Sequence, residues 1–464
     1  MKREERLIER LKNYNSTDFY PFHMPGHKRN CQDEFSKTIP FSLDITEITG
    51  YDDLHHPEGM IREAMDDFKK IYKTKESYFL INGSTAGNLA AMASVCSFGD
   101  KILIARNCHK SVYHGVELLG LDPVYVYPKI NEDGMCEGIT KDQISRVLRE
   151  EKGIKAAVIV SPTYEGVVSD IKEIADMLHS QGILLIVDEA HGAHFPFYEG
   201  FPKSAVFQGA DLVIQSLHKT LPSLTQTGLL HLCTDRIQKE WVQSRLSIFQ
   251  TSSPSYLLMA SIDYCVHRCQ EEKESFQQYE KLMNSFYGKL EALRHLKRIK
   301  TDDFGKVVIS VRDSSINGME LFRLLRDQYD IEAEMAEIHY LIAMTSVCDT
   351  REGILKLEHA LLDIDGRLQG IRKENHMEMK MAEVPKIMFP SEAVKQRKGK
   401  ISLEQSEGKI SGDYIYLYPP GIPLIVPGEK ITGRVLDKIE EYLHNHMRIE
   451  GCENRKISII NERI

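Results

Sequence analysis

Lys219 ends the segment Ser216-Leu-His-Lys219, which directly follows the short apolar run Leu212–Gln215. A lysine amine in a partly dry environment loses solvation, so its pKa falls and it becomes a nucleophile suited to Schiff-base chemistry. An isolated lysine is usually a solvated surface residue. The chemical meaning of Lys219 therefore depends on the groups that stand around it.

Asp188 follows another apolar run, Ile183–Val187, and opens the segment Asp188-Glu-Ala-His191. A carboxylate at the end of a buried strand is costly unless it is paired or functional. It could bind a metal ion together with His191 and His194, or it could face the protonated nitrogen of a heterocycle. Both readings stay open on these residues alone.

Two further segments suit a phosphate and a planar ring. Ser84 and Thr85 follow the run Tyr78–Ile81 and precede an alanine-rich helix, whose first backbone N–H groups would attract an anion. Hydroxyl residues are also ordinary helix caps, so this feature is weak when taken alone. His109 follows the run Lys101–Ala105, where its flat ring could stack on a ligand, although most histidines are structural.

Each of these segments follows a predicted strand. Continuous apolar runs that alternate with stretches of helical period predict strands buried on both faces, and hence an α/β fold with a mostly parallel sheet. In such sheets ligands bind at the carboxyl ends of the strands. The predicted strands are Tyr78–Ile81, Lys101–Ala105, Val124–Tyr127, Ala156–Val160, Ile183–Val187, Leu212–Gln215 and Leu229–Leu232.

The combination points to pyridoxal 5'-phosphate (PLP) as the cofactor. Its phosphate needs the donors at Ser84 and Thr85, its ring a stacking partner such as His109, its pyridinium nitrogen the carboxylate of Asp188, and its aldehyde the amine of Lys219. A nicotinamide-binding fold would not explain the lysine. A metal hydrolase would explain neither the lysine nor the phosphate cradle, so no metal is predicted.

In the order and number of its motifs the chain resembles the fold-type-I PLP enzymes and, within them, the ornithine/lysine/arginine decarboxylase family. The resemblance covers nearly the whole chain and implies a PLP-binding large domain with a mostly parallel seven-stranded sheet, plus a smaller α+β C-terminal part. We expect a short form without the N-terminal wing of the large members. The motifs are Met24-Pro-Gly-His-Lys28, Asp52-Asp53-Leu54-His55, Asn82-Gly-Ser-Thr85, His109-Lys-Ser111, Ser161-Pro-Thr-Tyr-Glu-Gly166, Asp188-Glu-Ala-His191, Ser216-Leu-His-Lys219, Tyr418-Pro-Pro-Gly-Ile-Pro423 and Pro427-Gly-Glu429.

The resemblance also implies roles for single residues. Lys219 would be the Schiff-base lysine, Asp188 would bind the pyridine nitrogen, and His109 would stack on the ring. The cofactor-binding set is completed by Ser84, Thr85, His191, Ser216 and His218. Weaker candidates for contact with the substrate are Glu165, His27, Asp52 and Asp53.

The implied activity is PLP-dependent decarboxylation of a basic amino acid (arginine, lysine or ornithine) to the amine, a reaction of polyamine biosynthesis. The alternatives are another PLP-dependent amino-acid reaction, such as transamination or aldol cleavage, and a non-catalytic PLP-binding protein. The resemblance further implies a homodimer or a higher oligomer with shared active sites.

Composition limits the partners. The 464 residues include 59 basic and 68 acidic side chains, a net charge of −9, which argues against binding to nucleic acid or to an anionic membrane. The charged segment Met1–Arg10 lacks the apolar region of a secretory signal. Nine scattered cysteines suit reduced thiols. We therefore expect a cytoplasmic protein.

The predicted organisation has four parts. Residues 371–400 have little periodicity and are predicted to be a surface connector, in which the basic cluster Lys395–Lys400 forms a solvated loop rather than a phosphate site. The four parts are an N-terminal arm with active-site loops (residues 1–60), the PLP-binding large domain (61–295), a small α+β domain (296–375) and a C-terminal domain (376–464).

Overall fold

The computed structural model describes residues 6–29, 34, 38–370, 381–418 and 421–461. Residues 371–380 of the predicted connector, and Pro419 and Pro420 of the motif that ends at Pro423, lie outside the described residues. None of the described helices is both long enough and apolar enough to cross a lipid bilayer.

The largest sheet has seven strands in the order β1-β7-β6-β5-β4-β2-β3. Strand β2 is parallel to β3 and β4, and β5 is parallel to β6, whereas β7 is antiparallel to both β1 and β6. The predicted α/β fold is confirmed, with β7 as the strand that makes the sheet mixed. The strands are β1 (Glu76–Leu80), β2 (Lys101–Ala105), β3 (Asp122–Val126), β4 (Ile154–Val160), β5 (Leu184–Asp188), β6 (Leu212–Gln215) and β7 (Gly228–Leu232).

Helices alternate with these strands and continue beyond them. Helix α5 begins with a capping box, in which Thr140 and Gln143 each bind the other's backbone N–H. The helices up to residue 290 are α1 (Leu7–Asn15), α2 (Met60–Tyr72), α3 (Gly83–Val95), α4 (Lys110–Leu119), α5 (Lys141–Glu150), α6 (Ile171–Ser180), α7 (Leu217–Thr220), α8 (Lys239–Phe249), α9 (Tyr256–Glu271) and α10 (Lys273–Leu290).

Helix α3 packs closely on the large sheet because its residues are small. A Cβ atom placed on Gly87 would lie 2.6 Å from Leu80 Cδ1 and 2.9 Å from Ile214 Cγ2, so a larger residue would push the helix away. Gly83 opens the helix with a φ angle of +72°, a conformation that favours glycine, and its N–H donates to the Gln226 carbonyl at 3.0 Å. These contacts place the hydroxyl-bearing first turn of α3 at the end of β1.

A smaller antiparallel sheet has the order β10-β11-β9-β8 and confirms the predicted α+β part. The elements are β8 (Lys297–Ile299), β9 (Lys306–Ser310), α11 (Gly318–Tyr329), β10 (Met335–Ala336), β11 (Tyr340–Met344) and α12 (Arg351–Arg367).

The C-terminal residues form two further small sheets, β12-β16 and β14-β13-β15, around a core that includes Ile415, Ile425, Ile439 and Ile457. The elements are α13 (Pro390–Ala393), β12 (Lys398–Ser402), β13 (Ile415–Leu417), β14 (Ile422–Ile425), α14 (Gly433–His444), β15 (Ile449–Glu450) and β16 (Lys456–Ile460).

The prediction of a surface connector was wrong for the last part of residues 371–400, because α13 is largely buried and β12 begins at Lys398 and pairs with β16. Lys398 and Lys400 bind Asp413 at 2.6 Å and Glu453 at 2.7 Å, so the basic cluster is partly ion-paired strand rather than loop. Five residues with two lysines give too short an alternation to be read as a strand from the sequence.

The chain folds into two compact units. Unit 1 comprises Met1–Val95, Ile186–Glu199 and Lys203–Glu274, and unit 2 comprises Cys96–Leu185, Gly200–Pro202 and Ser275–Ile464. The boundaries between the four predicted parts stay predictions.

A buried ion pair joins distant parts of unit 2. Arg106 Nη1 and Nη2 donate to Glu429 Oε1 and Oε2 at 2.8 and 2.9 Å, and the two side chains are 1% and 2% exposed. Arg106 Nη2 also donates to the Leu424 carbonyl, and the rings of Tyr113 and Tyr125 lie 5.6 and 4.7 Å from the guanidinium. The pair fixes the C-terminal segment against the residues that follow β2.

Replacement of Glu429 by glutamine leaves the buried Arg106 guanidinium without its counter-charge. We expect the free energy of unfolding, measured by chemical denaturation, to fall by about 3–5 kcal/mol. The double replacement Arg106→Met with Glu429→Leu removes both buried charges and should recover most of this loss. A double variant as unstable as Glu429→Gln would contradict the explanation.

Candidate active site

Asp188 is the last residue of β5 and is 3% exposed. Its carboxylate accepts hydrogen bonds from Asn88 Nδ2 at 2.8 Å and from the Ala190 backbone N–H at 3.1 Å. Both of these donors are neutral, so they orient the buried negative charge without balancing it. Such a site favours a ligand group that carries a positive charge.

Lys219 lies in the short helix α7, and its Nζ atom is 3.0 Å from His191 Nε2. His191 is 6% exposed and stands three residues after Asp188, within the same unit. An amine and an imidazole at this distance share a hydrogen bond and can pass a proton between them. The fold thus brings Lys219 to one of the other predicted site residues.

Two predicted phosphate-binding residues meet at the start of α3. Ser84 Oγ lies 2.6 Å from Ser216 Oγ, which precedes α7. The first backbone N–H groups of an α-helix have no partner within the helix and attract an anion. Thr85 is exposed in the same turn. Hydroxyl groups and helix N–H groups of unit 1 therefore lie together at this turn, while their phosphate-binding role stays a prediction.

His218 Nδ1 lies 2.8 Å from the Thr227 carbonyl, so this nitrogen carries the proton. Burial lowers the pKa of His218, and the neighbouring Lys219 charge lowers it as well. The ring is therefore mainly neutral at neutral pH, and Nε2 can accept a hydrogen bond.

His109 caps helix α4 in unit 2. Its Nδ1 accepts the Ser111 backbone N–H at 3.2 Å and lies 2.9 Å from Ser111 Oγ. The Lys110 N–H donates to the Gly421 carbonyl at 3.0 Å, and a Cβ on Gly421 would lie 3.4 Å from His109 Cδ2. The ring is thus oriented by its own helix start and by the C-terminal segment, while its stacking role stays a prediction.

Of the four weaker candidates, one belongs to unit 2 and three belong to unit 1. Glu165, in unit 2, is buried and accepts a hydrogen bond from Tyr340 Oη at 2.9 Å. His27 Nε2, in unit 1, lies 3.1 Å from Asp44 Oδ2. Asp53 accepts the backbone N–H of His55 at 2.8 Å. Roles in substrate contact for these residues stay predictions.

Asp52 has a local structural role. Its carboxylate accepts backbone N–H groups at 2.8–3.2 Å from residues on both sides of the start of α2, so it holds the preceding loop and caps this helix. The donors are Asp53, Glu58, Gly59, Ile61 and Arg62.

Two polar residues near Asp188 were missed by the sequence reading. Asn88 binds Asp188 directly, and its position one helical turn after Ser84 was the available signal. Glu189 is 2% exposed. Its carboxylate accepts hydrogen bonds of 2.6–2.7 Å from Ser204 Oγ, the Ala205 N–H and Gln215 Nε2. Burial raises the pKa of Glu189 to about 7.

This raised pKa predicts a pH dependence of stability. Because the folded pKa is about 7 against an ordinary 4.5, the folded state holds an extra proton between these values. The contribution of Glu189 is greatest below pH 4.5 and is lost as the pH rises through 7, by about 3 kcal/mol in total. The unfolding free energy of wild type minus that of Glu189→Gln, measured by chemical denaturation, should therefore fall as the pH rises from 4.5 to 7. A difference that stays constant with pH would contradict this.

Two family models match the chain. The model "Orn/Lys/Arg decarboxylase, major domain" matches residues 6–337, and the model "Orn/Lys/Arg decarboxylase, C-terminal domain" matches residues 370–451. Together they span the large sheet, most of the smaller α+β part and most of the C-terminal sheets.

Full-length relatives agree with this match. The chain is 32% identical over 476 residues to the arginine decarboxylase of Bacillus anthracis, covering 98% of this chain and 97% of that protein. It is 31% identical over 477 residues to the arginine decarboxylase of Bacillus subtilis, with the same coverage.

Solved structures share the fold. The lysine decarboxylase of Francisella novicida superposes with a TM-score of 0.82 at 18% identity, covering 98% of this chain and 81% of that one. The constitutive lysine decarboxylase of Escherichia coli gives 0.81 at 20% identity, covering 98% and 82%. An SPT variant solved with PLP gives 0.53 at 16% identity, covering 66% and 76%. The family models and the nearly full-length relatives together show that this chain belongs to the Orn/Lys/Arg decarboxylase family of amino-acid carboxy-lyases.

Proposed function

We propose that the protein uses PLP to decarboxylate a basic amino acid, with arginine as the first candidate. The observation that carries the cofactor is the buried Asp188 carboxylate, whose hydrogen-bond donors are neutral, in the same unit as the Lys219–His191 pair. The nearly full-length relatives named arginine decarboxylase support arginine over lysine and ornithine.

The residues of unit 1 fit PLP by their chemistry. A protonated pyridine nitrogen supplies the positive charge that suits Asp188, and a phosphate suits the hydroxyls of Ser84 and Ser216 at the start of α3. Lys219 supplies the amine for the aldehyde. When bound, the cofactor supplies an electron-withdrawing ring that accepts the electrons of the broken carbon–carboxylate bond.

Asp188 keeps a proton on the ring nitrogen. Its charge is in place before the reaction, and the Asn88 amide at 2.8 Å and the Ala190 N–H at 3.1 Å fix its orientation. Because the carboxylate is 3% exposed, water screens this interaction little. The electrostatic help is therefore built into the end of β5.

Lys219 and His191 handle protons. Lys219 Nζ lies 3.0 Å from His191 Nε2, so a lysine amine that is not bound to the cofactor would stand beside the imidazole. The imidazole can take or return a proton at Nζ, which lets Lys219 either accept a proton from the substrate amine or donate one to its α-carbon.

Large apolar side chains stand exposed on the N-terminal arm, which supports the homodimer that the resemblance implies. Phe19 is 71% exposed, Tyr20 63%, Phe22 91% and Met24 66%. Neighbouring exposed apolar side chains commonly mark a surface that a partner covers. We propose that a second copy of this chain covers the arm.

Purified protein loaded with PLP should release carbon dioxide and the matching amine from arginine, measured separately against lysine and ornithine. Release from lysine or ornithine alone would overturn the choice of arginine but keep the reaction. No release from any of the three, with PLP bound, would favour transamination or aldol cleavage. Failure to bind PLP would overturn the proposed function.

Lys219→Ala should lose at least roughly 1,000-fold in kcat, because the amine that binds the cofactor and moves protons is gone.

Asp188→Asn should keep the fold and lose about 100-fold or more in kcat, because it removes a preorganised charge. Circular dichroism serves as the control for folding. Near-normal turnover of either variant would contradict its assigned role.

A further inference from the structure

Three buried side chains form a polar chain that runs from the carboxyl ends of β5 and β6 to His231 within β7, here called the Glu189–Gln215–His231 network. Gln215 Nε2 donates to Glu189 Oε2 at 2.7 Å, and Gln215 Oε1 lies 3.2 Å from His231 Nε2. The side chains are 2%, 0% and 0% exposed. Glu189 directly follows Asp188, and Gln215 directly precedes Ser216, so the network adjoins two proposed cofactor-binding residues in sequence.

The network lies on the opposite face of the sheet from Asp188. Asp188 pairs with Ile214 in the strand register, and His231 pairs with Val213. Paired residues share a face and successive residues alternate. Gln215 and His231 therefore share a face with Val213, and Asp188 shares the other face with Ile214.

Both ends of the network are anchored. Glu189 accepts Ser204 Oγ at 2.6 Å and the Ala205 N–H at 2.7 Å, and His231 Nδ1 lies 2.8 Å from Ser77 Oγ. Burial lowers the pKa of His231 to about 3, so the ring is neutral and connects one donor to one acceptor. A buried network with its hydrogen bonds satisfied in this way is rigid.

The β5–β6 ladder ends at Asp188 and Ile214, and the Glu189–Gln215 bond is the side-chain contact just beyond it. We propose that Glu189 and Gln215 are positioning residues, which fix the distance between Asp188 and the segment Ser216–Lys219. Their effect passes through the backbone, since their side chains lie on the other face. The proposal rests on the proposed function, because it concerns the fit of these groups to PLP.

The test is Gln215→Met, which keeps the length of the side chain and removes both hydrogen bonds. PLP affinity is measured by titrating the apoprotein, together with kcat, KM and the thermal unfolding of the apoprotein. We expect weaker PLP binding and a loss in kcat of roughly 10- to 100-fold with KM nearly unchanged. In the Asp188→Asn background the same change should cost little more, because both act on one group.

Asp263→Asn is the matched control. Asp263 is also fully buried in unit 1, accepts the Leu7 N–H at 2.9 Å, and belongs to α9 rather than to a strand end. The Asp263→Asn variant should have a lower unfolding temperature as apoprotein, with PLP affinity and kcat unchanged. If Gln215→Met behaves in the same way, its role is only structural and the inference is overturned. If the wild-type protein binds no PLP, the proposed function fails and the inference fails with it.

Discussion

A carboxylate buried at the end of a strand is the constraint on which the candidate site depends. Asp188 is 3% exposed and is held by the neutral donors Asn88 and Ala190. Removing a charge from water is costly, so a buried carboxylate is retained where it binds a ligand or serves another function. The close approach of α3, which Gly87 permits, brings Asn88 to this carboxylate. The position of the Asp188 carboxylate therefore depends on the close packing of α3 against the sheet.

Unit 2 also contains a buried carboxylate, that of Glu429, but here the counter-charge comes from the protein itself. The charge of Glu429 is balanced within the protein by the two-pronged contact with Arg106, and no ligand is needed to complete it. The Arg106–Glu429 pair therefore has a structural role. It holds the C-terminal segment near His109, where the Lys110 N–H donates to the Gly421 carbonyl. One buried carboxylate thus has a structural purpose, and the other is suited to a cationic ligand.

The carboxyl ends of β5 and β6 combine groups on both faces of the sheet. On one face Asp188 is oriented by Asn88, and on the other Glu189 binds Gln215. A catalytic group acts only when its neighbours keep it in place, and a small displacement is costly for reaction rates. The buried side chains of the Glu189–Gln215–His231 network have their hydrogen bonds satisfied, and we propose that they position the cofactor-binding groups on the other face.

The sequence alone determined the strands of the large sheet and the residues that follow them, since continuous apolar runs between helical segments indicate buried strands and ligands bind at strand ends. It therefore indicated Asp188 and Lys219. It did not reveal the strand that begins at Lys398, where the alternation is too short. Tertiary structure alone decided that Asn88 binds Asp188 and that Glu189 meets Gln215. These contacts join segments far apart in the chain, and local pattern carries no information on which side chains meet across a fold.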